Sequence, residues 1–243
     1  MIERQLTDKL KQLASQYPVV TLTGPRQSGK STLVQAVFPD LPYVLLEDPD
    51  VRMLAQTDPR GFLINYSNGA IFDEVQRVPD LFSYLQGIVD KQTATRPFIL
   101  TGSQNFLLLD QINQSLAGRT AVLRLLPLSY AERKSGGFIP ETIDELLLQG
   151  SYPRLVTRQL DPADFFPNYI QTYLERDVRS LKNIADLSTF TRFLRLCAGR
   201  IGSALNLSSL ASDCGVSVNT AKAWLSVLEA SYVIYLLPPY HEN

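Results

Sequence analysis

Cysteine and histidine are nearly missing from this chain of 243 residues, which holds 2 of the first and 1 of the second. Cys197 and Cys214 cannot build a disulfide framework, and such thiols suit a reducing, cytoplasmic setting. The lone histidine, His241, argues against histidine-based catalysis and against a multi-histidine metal centre. An excess of charge is missing too. The 23 basic and 24 acidic residues give a formal net charge of −1, with a pI near 5.9. No global field therefore draws the protein to nucleic acid or to a membrane surface. Long apolar runs are also lacking: Met1 to Leu6 carries no signal-like stretch, and no segment approaches membrane-spanning length. A hydrophobic fraction of 45% with 19% charged residues is ordinary for a globular protein of one large or two smaller domains.

What is present is a G-x-x-x-x-G-K-S pattern at Gly24, Pro25, Arg26, Gln27, Ser28, Gly29, Lys30 and Ser31. The apolar, β-branched run Val19–Thr23 leads in, and a helix-like stretch from Thr32 to Val37 leads out. A phosphate-binding loop requires that strand–loop–helix setting. The glycines allow a tight wrap in which backbone N–H groups face phosphate oxygens, and the next helix adds its positive end. Gly24 to Thr32 are the expected phosphate contacts, with Lys30 on the β- and γ-phosphates and the Ser31 hydroxyl on Mg²⁺. The pattern predicts a nucleoside triphosphate site.

Short apolar runs recur at Tyr43–Leu46, Ala70–Asp73, Pro97–Thr101 and Ala121–Leu125. The spacing between runs leaves room for crossover helices, which predicts right-handed βαβ units and a parallel sheet covered on both faces. The run at residues 70–73 leads into Asp73 and Glu74. A carboxylate at a strand's C-terminal end lies where such sheets bind ligands, so Asp73 is a candidate for holding Mg²⁺ opposite Ser31. Glu74 is the candidate base for the attacking water. The strand ending Leu100-Thr101-Gly102-Ser103-Gln104 offers a γ-phosphate sensor in Ser103, less so in Gln104; a plain strand-terminal turn is the alternative. Arg119, just before the fifth run, is either a finger reaching a neighbouring subunit's phosphate or a helix cap.

From about Leu128 the periodicity becomes helical, most clearly over Glu141–Gln149 and Phe165–Lys182. The division expected is 1–128 for the nucleotide module, 129–203 for a helical region and 204–243 for a last segment. That segment reads as a helix-turn-helix, with a helix from Leu207, a turn at Cys214–Ser217, a second helix over Val218–Leu228 and a wing starting at Val233–Leu237. Asn219, Thr220 and Lys222 sit where a recognition helix begins. From Leu205 onward, however, Lys222 is the only formal cation, against Asp213, Glu229 and Glu242. Since phosphate contacts dominate DNA affinity, packing or partner binding is favoured over DNA, and any DNA binding is expected to be weak. Basic residues gather upstream at Arg176, Arg179, Lys182, Arg192, Arg195 and Arg200.

Taken together, Thr23–Lys30, Leu46–Arg52, Phe72–Gln76, Leu116–Arg119, Tyr173–Asp177 and Trp224–Glu229 resemble the prokaryotic AAA-type P-loop ATPases. In these, an ATPase module is joined to a winged helix and a C-terminal domain of unknown function. The resemblance implies an α/β P-loop fold with strand order 5-1-4-3-2, then a helical lid and a partial winged helix-turn-helix. It implies ATP and Mg²⁺ as ligands and supports Lys30, Ser31, Asp73 and Glu74 in the roles above; the finger reading of Arg119 carries with it a homo-oligomer. Gly150-Ser151-Tyr152-Pro153-Arg154 is similar to the Gly-x-Pro lid motif of signalling NTPases, which implies that Pro153 packs on adenine. A helix C-cap glycine with a helix-stopping proline is the alternative, and Arg154 is a second candidate lid sensor. Glu175, Arg176 and Asp177 read as a structural ion-pair group. Residues 238–243 arrive where a wing should turn back, so a shortened version of a longer chain is expected. The expected activity is Mg²⁺-dependent ATP hydrolysis by a switch or motor subunit, with a slow-turnover, ATP-gated binding module as the alternative.

Overall fold

A computed structural model of the protein describes residues 2–91, 97–103, 112, 114–174 and 187–240. They fall into two compact units, residues 1–165 and 166–243. The first is built on a parallel sheet of 5 strands: β1 (Val19–Thr23), β2 (Tyr43–Leu45), β3 (Ala70–Asp73), β4 (Phe98–Thr101) and β5 (Thr120–Arg124). Their order, β2-β3-β4-β1-β5, is the one the resemblance implies.

Alternation along each strand explains how the sheet is covered. Phe72, Phe98 and Leu100 face one core, while Ile71 and Ile99, one position along, face another. The first core is closed by Phe62 and Leu63 from α4 (Pro59–Ile64) and by Leu81, Phe82 and Leu85 from α5 (Leu81–Val89). α1 (Thr7–Gln16) closes the other with Leu10 and Ala14, and α2 (Lys30–Val37) with Leu33 and Val34. α3 (Pro49–Thr57) starts at Asp48, whose side chain accepts from the Asp50 N–H. β1 is buried along its whole length, which is why it reads as an unbroken apolar run.

After β5 the chain becomes helical. Ser129 and Glu132 form a capping box that starts α6 (Tyr130–Ser135), and Thr142 and Glu145 do the same for α7 (Ile143–Gln149). α8 (Pro153–Thr157) carries proline at its start, where no backbone N–H is needed. The helix expected over Phe165–Lys182 begins earlier, as α9 (Pro162–Tyr169), and widens to a π turn over Ile170–Leu174. Pro167 inside it cannot donate to the preceding turn. Glu175, Arg176, Asp177, Arg179 and Lys182 lie outside the described residues, as do Gln104, His241 and Glu242.

In the second unit, α10 (Leu187–Ala198), α11 (Leu207–Cys214) and α12 (Val218–Ala230) pack around Phe190, Phe193 and Trp224. Trp224 meets both phenyl rings edge-on, with centroids 5.4 and 5.3 Å away. The helix-turn-helix is therefore present, with Gly215 left-handed at its turn (φ 76°). The wing is not: among the described residues, 233–240 form no strand. A strand needs a ladder partner, and local β-propensity at Val233–Leu237 does not supply one.

Candidate active site

The loop after β1 owes its shape to two glycines. Gly24 holds φ 143°, and a Cβ there would lie 2.1 Å from the Leu125 carbonyl oxygen, so no other residue fits. Gly29 caps α2 from the left-handed region (φ 91°), and Gln27 is left-handed as well (φ 59°). Between them the Ser28 hydroxyl is buried with no hydrogen-bond partner among the described residues. Lys30 folds over the loop, donating to the Gly24 and Pro25 carbonyls at 3.0 and 2.8 Å. Arg26 is half-buried, and Thr32 is exposed on the first turn of α2.

Asp73, at the end of β3, gathers four donors. Ser31 Oγ donates to Oδ2 at 2.6 Å, and the Tyr43 hydroxyl donates to the same oxygen. Thr101 Oγ1 and the Glu74 N–H donate to Oδ1, the latter at 3.0 Å. Burial and the bond to Asp73 push the Tyr43 hydroxyl well above its ordinary pKa, so it remains a donor at physiological pH. Parallel pairing explains the meeting in part: Thr101 follows Leu100, the partner of Phe72, and so arrives beside Asp73, while Tyr43 lies opposite Ile71 and its long side chain reaches two residues along β3 to Asp73. The paired hydroxyl and carboxylate of Ser31 and Asp73 are the hard oxygen set that suits Mg²⁺ held partly through water.

Glu74 follows with φ 56° and ψ 42°, a left-handed conformation that is costly for a non-glycine residue. Such outliers cluster at functional sites. Its Oε2 accepts from Ser103 Oγ at 3.3 Å and from Gln76 Nε2. Ser103, two residues past the end of β4, is thus brought to Glu74, one residue past the end of β3.

Three arginines have quite different surroundings. Arg4, ahead of α1, is buried; it donates to Ser28 O at 2.8 Å, to Leu126 O at 2.6 Å and to Glu132 Oε1 at 3.0 Å. Burial alone would raise the Glu132 pKa, but donors from Ser129, Gln5 and Arg4 outweigh it and hold the carboxyl below its ordinary value. Arg133 is fully buried and donates to Phe138 O, Gln149 Oε1 and Gly150 O, the last at 2.5 Å. It thereby pins the segment leading to Pro153, whose Cγ would lie 3.8 Å from a Cβ at Gly29. Pro153 therefore stands beside the loop.

Arg119 stands apart. Its guanidinium grips Asp90 at 2.5 and 3.0 Å and also donates to Ala117 O. It precedes the N-terminal end of β5, whose register pairs Thr120 with Val19 and Arg124 with Thr23. One strand length, about 17 Å, therefore separates it from its own phosphate loop.

Reading the sequence overlooked Arg4, Tyr43, Gln76, Glu132 and Arg133. The Ser129-x-x-Glu132 capping signature and the Asp73-Glu74-x-Gln76 spacing were the available signals; nothing local marks Arg4 or Tyr43. In the second unit, Arg192 donates to Asp213 O at 2.7 Å and Arg200 pairs with the Asp213 carboxylate. Two of the upstream cations are thus engaged.

Residues 16–134 match the family described as AAA domain, and residues 140–243 match the Domain of unknown function (DUF8612). Uncharacterized protein Rv2008c of Mycobacterium tuberculosis and uncharacterized protein Mb2031c of Mycobacterium bovis are each 33% identical over 249 residues. The match covers 100% of this chain and 55% of each relative, so the chain spans about half the length of the curated relatives it matches. Among solved structures, the Walker-type ATPase of Pyrococcus abyssi superposes with a TM-score of 0.62 at 18% identity, covering 95% of this chain and 90% of that one. At that identity the likeness speaks for the fold alone. On its family matches, its sheet order and its phosphate loop, the chain belongs to the AAA-type P-loop ATPases that carry a C-terminal domain of unknown function.

Proposed function

We propose that this protein binds ATP with Mg²⁺ and hydrolyses it, acting as a nucleotide-driven switch or motor subunit. The observation that carries the reading is Ser31 Oγ at 2.6 Å from Asp73 Oδ2, with Glu74 next in the chain and bound to Ser103. In this reading the backbone from Gly24 to Thr32 and the Lys30 ammonium hold the phosphates. Ser31 and Asp73 would hold Mg²⁺, which when bound neutralises phosphate charge and orients the triphosphate. Glu74 takes a proton from water as the water oxygen bonds to the γ-phosphorus. The bond to the β-bridging oxygen breaks, and its electron pair leaves on ADP. Ser103 steadies Glu74, and Pro153 borders the loop where a base would lie. Arg119 can serve only a neighbouring subunit's site, because its own lies too far away.

We assign residues 1–128 to the ATPase core, 129–203 to a lid and 204–243 to a helix-turn-helix segment, with the cytoplasm as the setting. No helix among the described residues is long and apolar enough to cross a membrane. The engagement of Arg192 and Arg200 by Asp213 supports weak DNA binding at most. A slow-turnover, ATP-gated protein- or DNA-binding module is the second reading. The Lys30 ammonium favours it, because it donates to the Gly24 and Pro25 carbonyls and must leave them to reach a phosphate.

Phosphate release at steady state separates the two readings. Lys30→Ala should abolish nucleotide binding, and Glu74→Gln should keep ATP but slow turnover roughly 10²- to 10⁴-fold. Turnover of Glu74→Gln at the parent rate would remove Glu74 from the mechanism.

A further inference from the structure

We infer that Gln76 is a water-positioning residue for hydrolysis, a role that rests on the activity proposed above. Gln76 lies in the single 3-10 turn (Val75–Arg77) that the left-handed Glu74 opens, and the Arg77 N–H donates back to Glu74 O at 3.0 Å. That turn folds the Gln76 amide onto the Glu74 side chain, where Nε2 donates to Oε2. The chemistry fixes the amide's orientation, because only its NH₂ group can donate to a carboxylate. Gln76 Oε1 is therefore the amide atom that this bond leaves unused, and it is buried with no hydrogen-bond partner among the described residues. A buried carbonyl oxygen without a donor is destabilising, so a group that brings an O–H or N–H is expected to reach it.

Glu74 is left with a matching capacity. Both donors it meets among the described residues, Gln76 Nε2 and Ser103 Oγ, go to Oε2. Oε1 of the carboxylate and Oε1 of the amide are thus two acceptors on neighbouring side chains, locked together by a hydrogen bond. A water molecule has two protons to donate and needs a lone pair free for phosphorus. Two fixed acceptors orient it so. In the step, one water proton passes to the Glu74 carboxylate, and the oxygen forms the new bond to phosphorus. The bridging P–O bond breaks with its electron pair leaving on ADP. Gln76 accepts the other proton's hydrogen bond throughout and neither gains nor loses a proton. The left-handed backbone of Glu74 is what brings both side chains to one place, which gives that conformation a use.

The test uses the full chain with MgATP. Gln76→Met keeps the side-chain length and removes both amide groups; Gln76→Leu stands in if the first does not fold. The expected result is a fall in single-turnover hydrolysis of about 10²-fold, the loss typical of a misplaced reactant. Affinity for a non-hydrolysable ATP analogue should stay at the parent value, and the melting temperature at or above it. In a Glu74→Gln/Gln76→Met double variant the rate should fall little below that of Glu74→Gln alone, because both residues act on one water. Hydrolysis by Gln76→Met at the parent rate overturns the inference and leaves the proposed function standing. A loss of analogue affinity or melting temperature in step with the rate also overturns it, since Gln76 would then be structural. A parent protein without turnover refutes the hydrolysis reading itself, and the role of Gln76 with it.

Discussion

Arg4 reaches the phosphate loop from outside it, donating to the Ser28 carbonyl at 2.8 Å while gripping Glu132 at 3.0 Å. One buried guanidinium thus ties three distant stretches of chain together: the N-terminal segment, the loop and the start of α6. The fork geometry of arginine makes this possible, because its N–H groups point in several fixed directions at once.

Removing that brace should be costly. Arg4→Ala leaves a buried carboxylate without its cationic partner and the Ser28 and Leu126 carbonyls without this donor, and unfolding by denaturant should show a loss of about 3 kcal/mol. Nucleotide affinity measured by calorimetry should fall as well, because Ser28 is no longer held. Arg4→Lys should restore little, since one ammonium cannot span the same acceptors. Full nucleotide affinity in a folded Arg4→Ala protein would show that the loop keeps its shape unaided.

Glu132 predicts a pH dependence whose sign follows from the site. Its donors hold the folded carboxyl below its ordinary value of 4.5, so the unfolded chain binds the proton more readily. The stabilisation is complete above about pH 4.5 and is lost as pH falls through the lower, folded value. Melting temperature followed downward from pH 6 should drop for the parent, and the gap between parent and Glu132→Gln should narrow below pH 4.5. A constant gap would mean that the carboxylate's charge contributes nothing.

Tyr43 shares Asp73 Oδ2 with Ser31, so Tyr43→Phe deletes one donor and leaves the ring in place. If Asp73 holds Mg²⁺ as proposed, loss of that hydrogen bond should raise the half-saturating Mg²⁺ for nucleotide binding on the order of 10-fold. Binding in EDTA should be unchanged. Equal losses with and without the metal would assign Tyr43 to packing instead.

Arg119 and Asp90 form an exposed pair, so Arg119→Ala should hardly change the melting temperature. If the arginine serves a neighbouring subunit, ATPase activity per subunit should rise with protein concentration, and Arg119→Ala should bind ATP normally but lose that rise. Mixing Arg119→Ala with Glu74→Gln should recover activity that neither shows alone, because each retains what the other lacks. Parent-level activity of Arg119→Ala at every concentration would leave its grip on Asp90 and Ala117 as its role.

The nucleotide module was legible because its signals are local. Five runs of strand length, a glycine pattern between β1 and α2 and the acidic end of β3 each depend on residues close together in the chain. The wing is less legible for the opposite reason: apolar, β-branched residues at 233–237 favour extended backbone, but a strand exists only where another pairs with it, and these residues form none. Likewise Arg4 and Arg133 carry no periodicity or spacing that betrays burial.

By itself the sequence determined the order of elements, the phosphate loop and the carboxylates after β3, since backbone conformation and strand alternation are set by near neighbours. Only the tertiary structure decided that Tyr43, Thr101 and Ser31 converge on Asp73, that Gln76 and Ser103 share Glu74, and that Arg4 clamps Ser28. Those contacts join residues brought together by parallel pairing and by burial, and a buried polar group takes whichever partner the fold presents.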